Sequence, residues 1–149
     1  MLIEDNADVN AGDFKGWTAL HIAARDGRID LVKVLIQNGA DVNAVAILNK
    51  YTALHFAAAN GHVDVVKLLL ENGADVNAVD KVKGTALHCA AMEGHADVAR
   101  VLIQGAADLN AVDHWKTTAL HYASNNEHIR CTLQLLCMGA EIDEGAIHD

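Results

Sequence analysis

The chain has 149 residues, 52% of them apolar, and carries a formal charge of −9 from 20 acidic against 11 basic side chains. That balance argues against a nucleic-acid partner, which needs a basic surface to take up phosphates. The chain has no apolar run long enough for a transmembrane helix and no basic-then-apolar opening of a secretory leader, so neither membrane insertion nor export is expected. The three cysteines, without CxxC spacing, read as reduced thiols of a cytoplasmic or nuclear protein.

In chain order, residues 1–11 line up with the end of a unit that recurs later, and Asn6 stands where Gly73 stands. They read as a partial repeat, an outer helix without the inner helix it would pack on, which favours a larger parent protein. The first full unit spans 12–44. It opens with a loop containing Asp13 and Gly16, then Thr18-Ala19-Leu20-His21, the small pair Ala23-Ala24 and Gly27. Thr suits an N-cap, because its hydroxyl accepts an orphan N–H of the first turn, and Gly suits the left-handed residue that ends a helix. Leu31, Val32, Leu35 and Ile36 then form a stripe on one face of a second helix. Gly39 stops it, and Asp41-Val42-Asn43-Ala44 leads into the next loop.

The TALH tetrapeptide returns at Thr52, Thr85 and Thr118, at intervals of 34, 33 and 33 residues. A period in this range means stacked supersecondary units. The second unit, 45–78, has a loop one residue longer than the others; it lacks the loop Asp and Gly and reads Ala46-Ile47-Leu48-Asn49-Lys50-Tyr51, with apolar Ile47 and Leu48 at the tip. The third, 79–111, moves its second glycine forward to Gly105 and puts Ala106 at the usual position, so a different cap geometry is expected there. In the fourth, 112–143, Asn126-Glu127 replaces the x-Gly pair, and Arg130-Cys131-Thr132 interrupts the apolar face. Residues 144–149 begin a further repeat or a tail.

These segments, TALH, GH and GADVN recurring in step, resemble the ankyrin-repeat family over nearly the whole chain. The family unit is a β-turn and two antiparallel helices with a T-P-L-H-x-A signature. The resemblance implies a single all-α domain over 1–149: a solenoid of helix-turn-helix units joined by β-hairpin loops, each repeat stabilised against its neighbours. The signature proline is absent, since Ala19, Ala53, Ala86 and Ala119 stand in its place; lower stability is expected, not altered function. The resemblance also implies that the TALH histidines bond loop backbone between neighbours. It further marks Asn43, Asn77 and Asn110 as candidates for asparaginyl hydroxylation, each with an acid two residues before and a leucine eight before. The competing role of these asparagines is to bond the hairpin backbone.

No catalytic residue, metal site or cofactor is expected. Ser124 is the only serine and lacks a nucleophile-elbow setting. The histidines recur at a spacing of seven because TALH and GH recur, not in the tight Cys/His pairs of a zinc site. Function then lies in the variable positions. Phe14, Trp17, Ile47, Leu48, Tyr51, Val82, His114 and Trp115 fall on the loops and are expected to form an apolar ladder of tips, edged by Lys15, Lys50, Lys81, Lys83 and Lys116. Aromatic residues are enriched at binding hot spots. Arg25, Asn60, Met92, Glu93 and Asn125 are expected to line the groove beside it. The reading is a non-catalytic scaffold, monomeric or part of a larger chain. It binds a protein or peptide with apolar anchors and acidic flanks. The alternative is a targeting or regulatory segment of a larger enzyme or channel, with catalysis lying elsewhere.

Overall fold

The computed structural model describes residues 8–142. Most of the partial repeat expected over 1–11, and the tail expected over 144–149, lie outside the described residues. Within them the chain forms eight helices in four pairs: α1 (Ala19–Asp26) with α2 (Ile29–Gln37), α3 (Ala53–Ala59) with α4 (Val63–Glu71), α5 (Ala86–Glu93) with α6 (Ala96–Gln104), and α7 (Ala119–Asn125) with α8 (Ile129–Cys137). The inner helices α1, α3, α5 and α7 stack in one layer and the outer helices α2, α4, α6 and α8 in a second.

Each inner helix begins at its TALH threonine. Thr18, Thr52, Thr85 and Thr118 are extended, with φ between −90 and −99°. Each threonine hydroxyl accepts the N–H of the histidine three residues on, and each threonine N–H donates to that histidine's Nδ1. This is a capping box with histidine in the place usually held by Glu or Gln. The alanine pairs are fully buried, as are Leu20, Leu54 and Leu87 between layers. A methyl group is all that fits between helices stacked this closely, so the small residues set the spacing and the leucines fill what remains.

The loops do not form β-strands among the described residues. Each is a hairpin-like turn closed by a backbone bond: Asp13 N–H to Trp17, Ala46 to Tyr51, Asp80 to Gly84, Asp113 to Thr117. Tip-to-tip bonds then tie the loops into a row, with Ile47 donating to the Lys15 carbonyl, Lys81 to Asn49 and His114 to Val82 at 2.9 to 3.0 Å. Single bonds between tips are too few to make a strand ladder, which is why the expected β-hairpins appear as turns.

Two expectations are corrected. Ala106 itself takes the left-handed position, φ 73°, while Gly105 stays at φ −85°, so the glycine shift leaves the cap geometry in step with Gly39 and Gly73. Arg130-Cys131-Thr132 does not break the apolar face either. Cys131 is fully buried where Val65 and Val98 sit, Thr132 turns its hydroxyl back to the His128 carbonyl at 2.8 Å, and Arg130 reaches Asp97 of the preceding repeat at 3.1 Å.

Candidate protein-binding surface

The loop carboxylates hold the tips. Asp13, Asp80 and Asp113 each accept the N–H groups two and four residues on, at 2.8 to 3.0 Å. Asp113 also accepts the Tyr122 hydroxyl. Burial would raise this carboxyl, but the hydrogen bonds outweigh it and hold Asp113 below the usual carboxylate range. The second loop lacks the carboxylate. Ala46 fills the buried site, Asn49 accepts the Tyr51 N–H at 3.0 Å, and the extra residue pushes Ile47 and Leu48 outward.

The tips therefore present side chains on a fixed backbone. Phe14 is 88% exposed, Ile47 68%, Leu48 64% and Trp115 67%. His114, Lys15, Lys50, Lys81, Lys83 and Lys116 are also exposed, and Val82 is half-buried. Lys50, Lys83 and Lys116 take the left-handed position, φ 57 to 60°, that Gly16 takes at 74°.

Trp17 and Tyr51 do not belong to the tips. They sit one residue before the capping threonines, in step with Gly84 and Thr117, and turn toward the inner helices. Trp17 packs on Phe56 with ring centroids 4.8 Å apart, and Tyr51 lies 5.2 Å from Phe56 and stacks on His55 at 5.0 Å. The Cys89 thiol reaches the Tyr51 hydroxyl at 3.8 Å. Ile22, Phe56, Cys89 and Tyr122 hold one position along the four inner helices, with Phe56 and Cys89 buried, Tyr122 half-buried and Ile22 39% exposed. The sequence spacing alone places these aromatics near the loops; only the step from tip to cap separates the two sets.

The polar residues expected along the groove lie at the C-terminal ends of the inner helices. Arg25 is half-buried, pairs with Asp26 at 3.0 Å and lies 5.3 Å over the Trp17 ring. Asn60 bonds the Phe56 carbonyl at 2.8 Å, and Met92, Glu93 and Asn125 are exposed. A row unmarked in the sequence reading, Val45, Val79 and Val112, lies about half exposed at the base of the hairpins. A cleft of about 390 Å³ lies between the last two of these valines, bordered by Lys83 and Asp108.

The titratable groups near this surface are built into the fold. Three of the four TALH histidines reach forward to loop backbone: His21 to the Ala44 carbonyl at 2.8 Å, just before the second hairpin, His55 to Gly84 at 3.0 Å and His88 to Thr117 at 2.9 Å, while the buried Nε2 of His121 has no partner among the described residues. The GH histidines reach the other way: His62 to Arg25, His95 to Ala59, His128 to Met92. Burial lowers the His21 and His55 pKa values. It pushes the Cys89 thiol up to about 12, the opposite of an activated nucleophile. No group of three His, Cys, Asp or Glu side chains is placed to hold a metal among the described residues, and none of the helices there is long and apolar enough to cross a membrane.

Asn43 and Asn77 each tie two repeats together. Asn43 donates to the Gly73 carbonyl at 3.0 Å and accepts Asp75 N–H at 2.8 Å; Asn77 donates to Ala106 and accepts Asp108 N–H. Asn110 accepts Glu141 N–H at 3.1 Å. An enzyme acting on these side chains has first to draw them out of their bonds.

The family model for ankyrin repeats (3 copies) matches residues 1–80 and 54–145. Among curated proteins, the chain is similar to phytochrome-interacting ankyrin-repeat protein 1 of Arabidopsis thaliana, 59% identical over 34 residues, covering 23% of this chain and 19% of that protein. It is similar to human protein phosphatase 1 regulatory subunit 27, 46% identical over 44 residues, 30% of this chain and 29% of that one. It is also similar to palmitoyltransferase akr1 of Schizosaccharomyces pombe, 47% identical over 45 residues, 30% of this chain and 7% of that one. The matched segment spans less than a third of each of these relatives.

Proposed function

The chain belongs to the ankyrin-repeat family, and from that premise we propose that it is a non-catalytic scaffold that holds a protein or peptide on its hairpin tips and concave groove. Repeats of this kind are protein-interaction modules; the partner and the contact residues are the proposal. One observation carries it. Four large apolar side chains, Phe14, Ile47, Leu48 and Trp115, stand 64 to 88% exposed along one row of hairpins. Ile47 lies against Gly16 of the preceding tip, yet the row as a whole stays exposed on a braced backbone, and such patches mark interfaces. The tips are held by carboxylates and tip-to-tip bonds, so a partner meets them at little ordering cost.

The partner's chemistry follows from charge. Five of the eleven basic residues lie on these loops in a chain of net charge −9. A segment with apolar anchors and acidic flanks fits such a row, and its association would be steered by the lysines and weakened by salt. Trp17 and Tyr51 would act from the groove floor, with Arg25, Asn60, Met92, Glu93 and Asn125 as the polar wall. The reduced thiols favour a cytoplasmic or nuclear setting.

The test is to compare the wild type with a Phe14→Ser/Ile47→Ser/Leu48→Ser/Trp115→Ser variant of equal helicity. Binding of a designed series of extended peptides, apolar with and without acidic flanks, would be measured by fluorescence polarisation. The proposal expects acid-flanked peptides to bind the wild type best, with affinity falling as salt rises, and the variant to lose them. Equal binding by both proteins would remove the tips from the interface. A second reading is a targeting or regulatory segment within a longer enzyme or channel. The match to a palmitoyltransferase over 7% of its length favours keeping it.

A further inference from the structure

The bases of the hairpins carry a pattern that neither the tips nor the groove uses. Val45, Val79 and Val112 hold one position in three successive loops and are 48 to 51% exposed. Lys50, Lys83 and Lys116 hold a second position, left-handed at φ 57 to 60°, and all three are exposed. The first loop has neither side chain, since Gly12 and Gly16 stand at the two places. Acids hold a third position. Asp75, Asp108 and Glu141 are exposed, and each donates its N–H to an asparagine side chain of the preceding repeat, Asn43, Asn77 or Asn110, at 2.7 to 3.1 Å.

Those asparagine bonds bring the rows together. Each acid lies some thirty residues beyond its valine along the chain, but its backbone is tied to the asparagine two residues before that valine. The cleft of about 390 Å³ is the result: Val79 and Val112 wall it, and Lys83 and Asp108 both border it. Lys83 comes two residues before the cap of inner helix α5, and Asp108 four residues after the end of outer helix α6. The lysine therefore stands on the side of the inner layer and the acid on the side of the outer layer, with the valines between. Neither row of charge is used within the protein. The ion pairs among the described residues join Arg25 to Asp26, and Arg100 and Arg130 to Asp97.

An apolar seam with cations along one edge and anions along the other selects its complement. A segment that is acidic on both flanks, or basic on both, meets like charge on one edge. The period selects its conformation. Stacked helices lie about 8–10 Å apart, and seven residues of an α-helix rise about 10.5 Å, so a heptad spans one repeat. A strand covers that distance in three residues, and residues three apart in a strand point to opposite faces. We propose that this strip binds an amphipathic α-helix of a partner, its apolar seam on Val45, Val79 and Val112, its acids facing the lysines and its bases facing Asp75, Asp108 and Glu141.

Labelled three-heptad peptides, followed by fluorescence polarisation, test this on the whole chain. Each has one leucine per heptad on an alanine-rich helix. The first carries glutamates along one flank of the leucines and lysines along the other, the second exchanges the two flanks, and the third has glutamine on both. The two charged peptides are expected to bind, and the glutamine peptide to bind about tenfold more weakly. Turning a helix end for end exchanges its flanks. A nitroxide at the peptide N-terminus is therefore expected to broaden amide signals around Val45 with one charged peptide and around Val112 with the other. Lys50→Gly/Lys83→Gly/Lys116→Gly restores the residue of the first loop at left-handed positions, so the fold is expected to hold while both charged peptides bind about tenfold more weakly. A Phe14→Ser/Trp115→Ser variant is expected to bind like the wild type, which separates this strip from the tips. No binding to the wild type, equal binding of all three peptides, or broadening around both valines by one charged peptide overturns the proposal. So does undiminished binding by the glycine variant, or its loss in the tip variant.

Discussion

His55 donates its Nε2–H to the carbonyl of Gly84, 3.0 Å away in the next hairpin, while its Nδ1 accepts the N–H of Thr52 at 3.1 Å. Only the neutral ring can do both, because a proton on Nδ1 would face the Thr52 donor. His21 stands in the same relation to Thr18 and the Ala44 carbonyl.

This relation makes stability fall in mild acid. Burial lowers the pKa values of His21 and His55 below 6.5. Above about pH 7.5 folded and unfolded chains both hold neutral rings, and stability is level. As pH falls through 6.5, the unfolded chain takes up protons that the folded chain refuses, so stability declines from there toward the lower folded pKa values. Asp113, with its carboxyl held low, adds a further loss at lower pH. Urea unfolding at pH 7.5, 6.5 and 5.5 is expected to give steadily lower midpoints over the last two steps.

Left-handed residues with side chains mark where the fold can be strengthened. Ala106 at φ 73° stands where Gly39 and Gly73 stand at about 90°. The left-handed conformation costs an L-residue on the order of 1 kcal/mol, and Ala106→Gly is expected to raise stability by about that amount, measured by thermal or urea unfolding. The reverse change, Gly27→Ala, is expected to destabilise strongly, since its methyl would meet the His62 ring at 2.5 Å.

Tip and groove aromatics should separate on stability. Phe14 is 88% exposed and Trp115 67%, so Phe14→Ser and Trp115→Ser are expected to change unfolding free energy by no more than about 0.5 kcal/mol. Trp17 packs on Phe56 and under Arg25. Trp17→Ala is expected to cost about 2 kcal/mol, below the figure for a fully buried aromatic because the ring is only half covered.

Asp80 accepts the N–H groups of Val82 and Gly84 at 2.9 and 2.8 Å and is 8% exposed. Asp80→Ala leaves both donors without it in a buried turn, at about 1–3 kcal/mol. Restoring the second loop's pattern in full, alanine with the longer tip, is expected to recover part of that loss, because Ala46 sits in a loop whose Asn49 takes over one donor.

The thiols should react in a fixed order. Cys137 is exposed while Cys89 and Cys131 are buried, and burial raises both buried thiols. A maleimide is expected to label one site quickly under native conditions, identified as Cys137 by peptide mass, and the other two only on unfolding.

The period, the caps and the core were legible in the residues themselves. Thr and His at the head of each inner helix, paired alanines within it and a two-by-two apolar stripe in the outer helix are local instructions: each depends on neighbours three or four positions away. The resemblance implied that the TALH histidines bond loop backbone between neighbours; that the GH histidines bond carbonyls of the preceding repeat was not legible, because a spacing of seven carries only the period. The split of the loop aromatics was not legible. Trp17 and Tyr51 are near in sequence to Phe14 and Ile47, and only the turn at the hairpin's end sends one pair to the groove and the other to solvent.

By itself the sequence determined the kind of unit, how many times it recurs and where each helix begins, because those are matters of short-range geometry repeated at a fixed period. The tertiary structure decided which faces remain in water. Ala106 keeps the cap in step because its N–H bonds the Ile103 carbonyl, the next N–H bonds Leu102, and Asn77 of the preceding repeat donates to its carbonyl. Lys33, Lys67 and Arg100 stay exposed beside a stacked neighbour, as does Leu133, which holds their position in α8 (Ile129–Cys137). Exposure is a property of what lies across the gap between repeats, some thirty residues away along the chain, and no local pattern carries that information.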